Sequence, residues 1–236
     1  MKILSIDTSN NICSIAVLED TTVIYEKSMD SSLTHSKTLM PMIKEAFDLV
    51  HLTLQDIDLF ACCKGPGSFT GIRIGIATIK AFVDVYHKPC LGISSLEALA
   101  YRSMEDSHMV CSLIDAKNSN VYIGIFANEN GISLPQEDEK AFSLEECIIH
   151  LKEKKLSSLS FVGDGTFSYQ EMLKENFPDS TFHQDIMQSD AISVGKAAYF
   201  RYLSHRFSDS DRLLHPLYLK KAQAERMLME KKKEEN

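Results

Sequence analysis

Two aspartates at the ends of strand-like runs are the residues best placed for chemistry. Asp7 closes the apolar run Ile3 to Ile6 and leads into the turn Thr8-Ser-Asn-Asn11. Asp115 closes Val110 to Ile114 and leads into Ala116-Lys-Asn-Ser-Asn120. A carboxylate at a strand end, beside turn amides, can hold a hydrated magnesium ion and a phosphate tail. The same residues also suit a hairpin turn capped by Asp, their commoner use. A second candidate is Lys64-Gly-Pro-Gly-Ser-Phe-Thr-Gly-Ile-Arg-Ile-Gly75. Here an apolar strand, Asp58 to Cys63, runs through a glycine loop into a helix, and a helix N-terminus attracts anions. The loop ends in no Gly-Lys-Ser/Thr, and its glycine spacing is not that of a dinucleotide fold. Its alternative is a tight strand-to-helix turn, with Pro66 and the glycines chosen for backbone shape. Asp7, Gly65, Gly67 and Asp115 are therefore the candidate nucleotide or phosphate contacts.

Other chemistries find little support. No serine sits in a Gly-x-Ser-x-Gly elbow. Eight histidines are scattered with no pair three or four apart, which leaves no helical metal pair. Six cysteines show neither Cys-x-x-Cys nor zinc spacing, and several lie in apolar runs where a reduced thiol packs as a small hydrophobe. His35 reads as a capping or surface residue, and Glu97 has no acid or base partner nearby in sequence. No catalytic residue and no metal ligand is assigned. A net charge of −8 argues against a broad nucleic-acid surface. Met1-Lys-Ile-Leu-Ser-Ile-Asp7 reaches an acidic residue too early for a signal peptide, and no apolar run is long enough to span a bilayer. The expectation is a cytoplasmic, reduced protein.

The elements that must position these residues follow from hydrophobic spacing. The helix Gly71 to Tyr86 carries Arg73, Lys80 and Asp84 on a narrow polar strip and is apolar around most of its circumference. Gly71, Gly75 and Thr78 line one side and permit close backbone approach. The preceding helix, Ser36 to Val50, is apolar over about half its wheel, and Pro41 should make it start late or bend. Two readings are open: an ordinary core, or a surface covered by another protein. The second is adopted, with Leu39, Met42, Ile43, Phe47, Ile72, Ile76, Ile79, Phe82 and Val83 as the partner interface.

The chain also repeats itself. Each half opens with strand, Asp, polar turn and strand, and continues with strand, glycine loop and helix. In the second half the loop is Ser160-Phe-Val-Gly-Asp-Gly165, with a helix from about Ser168. Further strands are expected at Thr22 to Ser28 and Pro89 to Ile93. Helices are expected at Ser94 to Arg102, Ser143 to Leu151 and Ala191 to Phe207. Leu217 to Leu219 reads as extended, followed by a helical and then fraying tail from Lys220. The fold class is α/β. The domains expected are 1–104, with 215–236 packing back on it, and 105–214.

The stretch Gly65-Pro-Gly-Ser-Phe-Thr-Gly-Ile-Arg-Ile-Gly75 resembles the signature of the TsaB family, partner proteins of TsaD in bacterial tRNA threonylcarbamoyladenosine synthesis. Support comes from Ile3-Leu-Ser-Ile-Asp-Thr-Ser9, His35-Ser36 with Leu39 and Pro41, Ile114-Asp-Ala116 with Val121-Tyr122, and Pro216-Leu-Tyr-Leu-Lys220. The resemblance implies two duplicated ribonuclease-H-like lobes of the actin/Hsp70/sugar-kinase superfamily. It implies a subunit that supports the TsaD-like catalytic protein, with a TsaE-like ATPase as a further partner, a homodimer when alone, and tRNA met only indirectly. ATP or ADP would bind, if anywhere, at a subunit junction. By this resemblance Ser95 and Leu99 stand where TsaD carries a His-x-x-x-His metal pair. The alternative functions are a small-molecule kinase or ATPase using Asp7 and Asp115, and a peptidase.

Overall fold

A computed structural model describes residues 1–30, 35–103 and 109–219. Two sheets carry the same strand plan. The first is ordered β3-β2-β1-β4-β5, from β1 (Lys2–Asp7), β2 (Ile12–Glu19), β3 (Thr22–Asp30), β4 (Leu59–Gly65) and β5 (Cys90–Ser94). The second is ordered β11-β10-β6-β7-β8, from β6 (Met109–Asp115), β7 (Asn120–Glu129), β8 (Ile132–Pro135), β10 (Ser160–Val162) and β11 (Thr181–Phe182). A short β9 (Lys140–Ser143) also pairs with β7. In both sheets the first three strands form an antiparallel meander and the pairs beyond β1 and β6 are parallel, while β9 joins β7 antiparallel. The duplication seen in the sequence is thus a duplication of topology, and Asp7 and Asp115 end the equivalent strands β1 and β6. The lobes expected from the resemblance are present.

Helices cover the sheets on both faces, as parallel strands require. On one face of the first sheet lie α1 (His35–Val50) and α2 (Phe69–Tyr86), whose apolar residues merge with Leu4, Ile6, Phe60 and Cys62. On the other face lies α7 (Ala191–Leu203), packed on Ile3, Leu18, Ala61 and Ile93. In the second lobe, α4 (Leu144–Glu153) and α6 (Gln170–Asn176) cover one face of the sheet. There α3 (Ser95–Arg102) fills the other with Leu96 and Leu99. The domain boundaries expected from sequence need correction. Helix α7 falls within 105–214 yet builds the core of the first lobe, because an apolar sheet face must be covered by whichever element reaches it. Leu214 lies in the core of the first lobe and the Leu217 amide donates to the Lys64 carbonyl at 2.8 Å, whereas Leu219 packs on the second-lobe cluster with Leu96 and Leu99. The tail expected from Lys220 lies outside the described residues.

Most local expectations agree with the structure within a few residues. Ser68 caps α2, its hydroxyl accepting from the Gly71 amide, and Ser143 and Asp190 form capping boxes for α4 and α7. Pro41 neither delays nor ends α1, which runs through it; the ring lies on the exposed side, where one forgone internal bond leaves a carbonyl for water. The helix of the second glycine loop starts at Asp164 rather than Ser168, as the short α5 (Asp164–Ser168).

The largest correction concerns the proposed interface residues. Leu39, Met42, Ile43, Phe47, Ile72, Ile76, Ile79 and Phe82 are all at most 8% exposed inside the chain's own core, and Val83 packs against that core half-buried. The most apolar stripe of each helix turns toward its own sheet because that burial returns about 1.5–3 kcal/mol per large side chain. What α1 shows to solvent includes Lys37, Met40, Lys44 and Leu49; α2 shows Arg73, Ala77, Lys80, Ala81, Asp84 and Val85. His35 also differs from expectation: it is buried, with Nε2 2.9 Å from the Asn10 carbonyl oxygen.

One contact sets how closely α2 lies over the sheet. A Cβ at Gly71 would stand 1.9 Å from the Thr8 carbonyl oxygen, and one at Gly75 2.6 Å from Thr8 Oγ1. The Thr8 hydroxyl in turn donates to the Gly71 carbonyl at 2.8 Å. Gly71→Ala is therefore expected to destabilise the chain by about 1–3 kcal/mol. In urea unfolding the midpoint should fall with little change in slope; an unchanged midpoint would refute the contact.

Candidate functional site

A cleft of about 250 Å³ opens between the lobes. The first lobe contributes Ser9, Asn10, Pro66, Gly67 and Ser68; the second contributes Asp115, Lys117 and Asp164; Ser95 and Leu99 of α3 line it between them. Gly67 belongs here because a Cβ would lie 2.3 Å from the Ser9 carbonyl oxygen, so the loop can pass over the β1–β2 turn only without a side chain. The Ser68 amide then donates to that same carbonyl at 2.7 Å. Gly67, Ser95, Leu99 and Asp115, far apart in sequence, thus meet in one place. Gly65 does not line the cleft; it is buried beneath, at φ +101°, facing the Leu217 carbonyl.

Asp7 is not in the cleft either, which corrects its candidacy as a phosphate or magnesium contact. It is fully buried. One carboxylate oxygen accepts from the Ser9 amide at 2.8 Å, and the other accepts from the Ser189 hydroxyl. Ser189 precedes α7, and Asn10 donates to its carbonyl at 3.1 Å. Asp7 therefore ties the β1–β2 turn to the start of α7. Burial raises its pKa, opposed by these hydrogen bonds. A carboxylate with both oxygens engaged inside the protein directs no ligand atom at the cleft.

Asp115 does face the cleft, but its oxygens are occupied too. It accepts from the Lys117 amide at 2.8 Å, the Lys117 ammonium at 2.8 Å and the Tyr169 hydroxyl at 3.2 Å. Burial pushes its pKa up, and the Lys117 contacts more than offset that, leaving it below the usual value. Asp164 accepts from the Asp115 amide at 2.9 Å, and burial raises its pKa. Lys117, Asn118 and Ser119 all hold positive φ, an unusual run for residues with side chains. Ser95 is buried and donates to the Pro66 carbonyl at 2.5 Å; Leu99 is 1% exposed. Hydroxyl and isobutyl groups so placed hold the glycine loop and fill space; they offer no metal site. Among the described residues, no three His, Cys, Asp or Glu side chains are grouped to hold a metal ion. No helix among them is long and apolar enough to cross a membrane.

A second crevice, invisible in the sequence, joins the lobes through charge. Glu97 of α3 pairs with Arg201 of α7 at 2.8 Å; Arg201 also pairs with Asp211 at 3.3 Å, and Asp211 with Lys64. Glu97 thus has a partner after all, 104 residues away. Two cations and two anions balance there. Glu139, from the segment before β9, adds its carboxyl to the same crevice, with Glu137 and Asp138 also on its wall. Burial pushes Glu139 up to about 7, assisted by the Glu97 charge and opposed by Ser94, Lys64 and Arg201.

The comparisons with known proteins agree with this geometry. The family model for TsaD, tRNA N6-adenosine threonylcarbamoyltransferase, matches residues 29–227. The tRNA threonylcarbamoyladenosine biosynthesis protein TsaB of Bacillus subtilis (strain 168) is 32% identical over 175 residues, covering 74% of this chain and 76% of that protein. TsaB of Haemophilus influenzae is 30% identical over 233 residues, covering 93% and 94%. A crystal structure of an uncharacterized Pseudomonas aeruginosa protein with similarity to peptidase YeaZ superposes with a TM-score of 0.79 at 24% identity, covering 93% of this chain and 99% of that one. Component A of (R)-2-hydroxyglutaryl-CoA dehydratase from Acidaminococcus fermentans gives 0.51 at 11% identity, covering 86% and 99%. Two duplicated lobes around one cleft define the actin-like and sugar-kinase class of fold. Within it, the chain belongs to the TsaB family.

Glu139 gives the site a pH signature. A carboxyl whose folded pKa is raised contributes stability below its unfolded value, near 4.5, and loses it as pH rises toward 7. Glu139→Gln should therefore flatten stability over that window and gain about 1 kcal/mol or more at pH 8. Parallel pH profiles of the two proteins in chemical denaturation would show this; identical profiles would remove Glu139 from the crevice's charge balance.

Proposed function

We propose that this chain serves tRNA threonylcarbamoyladenosine synthesis as a non-catalytic subunit that binds and supports a TsaD-like transferase. Family membership supports the pathway. The observation that carries the non-catalytic reading is the state of α3: Ser95 spends its hydroxyl on the Pro66 carbonyl, and Leu99 is packed. By the resemblance, TsaD holds its metal through histidines at those positions. The remaining carboxylates of the cleft are committed to backbone amides, hydroxyls and Lys117. A kinase or ATPase using Asp7 and Asp115 together is disfavoured, because Asp7 is sealed under Ser9 and Ser189.

The surface proposed for the partner moves from the inward stripes of α1 and α2 to their outward faces. On α2, Ala77, Ala81 and Val85 recur every four residues, with Val85 68% exposed. Two alanines let another helix approach closely, and Met40 and Leu49 add apolar area on α1. The same faces would serve a homodimer when the partner is absent. A TsaE-like ATPase, any ATP or ADP at the subunit junction, and tRNA held mainly by other subunits complete the proposal. A cytoplasmic location follows from that pathway.

Co-expression with the TsaD-like protein of the same genome tests the reading. Ala77→Glu with Val85→Glu should abolish co-elution on size exclusion while shifting the melting temperature by no more than a few degrees. Ile76→Glu should instead unfold the first lobe, since it places a charge among Ile6, Phe60 and Ile79. Undiminished co-elution by the double variant would reject the α2 face. Threonylcarbamoylation of tRNA by this chain in the absence of a TsaD-like protein would reject the non-catalytic role.

A further inference from the structure

The second lobe carries an apolar patch that neither the core nor the α1–α2 face uses. Phe167, on α5, is 56% exposed, and Met172, on α6, is 40% exposed. They border one open groove with Glu171 and Glu175 on its rim. The two short helices meet at Tyr169, whose hydroxyl donates to Asp115 at the cleft. That junction holds Phe167 outward, while Leu173 and Phe177 anchor the segment in the core. The nearby cation, Lys174, stands over the Phe182 ring at 5.8 Å. No ion pair among the described residues engages Glu171 or Glu175. A large aromatic residue left half in water forgoes burial energy unless something covers it.

We propose that this patch docks a protein segment bearing one or two large apolar anchors flanked by lysine or arginine. The anchors would cover Phe167 and Met172, and the basic flanks would meet Glu171 and Glu175. Charge decides among the other occupants. A second copy seated two-fold on the same patch would bring Glu171 and Glu175 against their own counterparts. An anionic membrane or a nucleic-acid backbone would be repelled by the same two carboxylates. Because Tyr169 links the groove to Asp115, a bound segment would lie beside the mouth of the cleft. The proposal does not depend on the α1–α2 face.

Methyl NMR of the full chain with labelled methionine tests it. The probe is a synthetic twelve-residue peptide with a central Leu-Phe flanked by lysines, and the control carries glutamates in their place. The lysine peptide should move the Met172 methyl resonance saturably, and binding should weaken at least threefold between 50 and 300 mM salt. Glu171→Gln with Glu175→Gln should abolish the salt dependence and the preference over the glutamate peptide. Phe167→Ser, an exposed change that leaves the core intact, should weaken binding at least tenfold. A silent Met172, or equal binding of both peptides, would overturn the proposal. So would a Met172 shift that grows with protein concentration alone, which would assign the patch to a second copy. A Met172 shift in the full chain on Lys231→Glu, Lys232→Glu and Lys233→Glu together would assign it to the chain's own tail and equally overturn it.

Discussion

The arrangement depends on backbone touching backbone where the β1–β2 turn meets the start of α2. The Thr8 carbonyl occupies the space a side chain at Gly71 would need, and the Ser9 carbonyl does the same at Gly67. Such contacts leave no latitude, since close-packed atoms cannot be compressed by even one methyl group. They bring α2 close enough for Ile72, Ile76 and Ile79 to pack on the first sheet, and they hold the glycine loop at the cleft edge. The core of the first lobe and one wall of the cleft therefore share a cause.

From that frame the cleft inherits a shape in which the carboxylates of Asp115 and Asp164 are held by internal hydrogen bonds. The end of β6 and the start of α3 line the cleft, and the end of β1 lies buried beneath it. Here each position is occupied by an internal bond. Asp7 holds Ser9 and Ser189, Asp115 holds Lys117 and Tyr169, and Ser95 holds Pro66. Buried polar groups need partners, and these have found them within the protein. Along α2 and beside Phe167, apolar side chains are left exposed. Both are the surfaces on which the proposed associations rest.

Much of the fold was legible in the chain itself. The repeated order of strand, aspartate, turn and strand became two sheets of identical plan, because local patterning and turn residues act over short distances. The glycine loop carried two readings, phosphate contact or backbone shape, and the close approaches at Gly67 and Gly71 supply the second. The site was less legible. The Glu97–Arg201–Asp211–Lys64 network spans elements with no sequence signal linking them. What covers the apolar stripes of α1 and α2 differs from the expectation for a definite reason: a helical wheel shows which residues are apolar, not whether the chain's own sheet or another protein covers them.

Residue order alone determined the elements, their duplication, the glycines at the turn and the family to which the chain belongs. Each rests on spacing or on a match along the chain. Tertiary structure decided which stripe of each helix is inside, that α7 serves the lobe it does not follow in sequence, and that Asp7 is sealed while Asp115 is not. Those outcomes turn on competition for buried surface and hydrogen-bond partners among segments more than a hundred residues apart, which is settled only when the chain is folded.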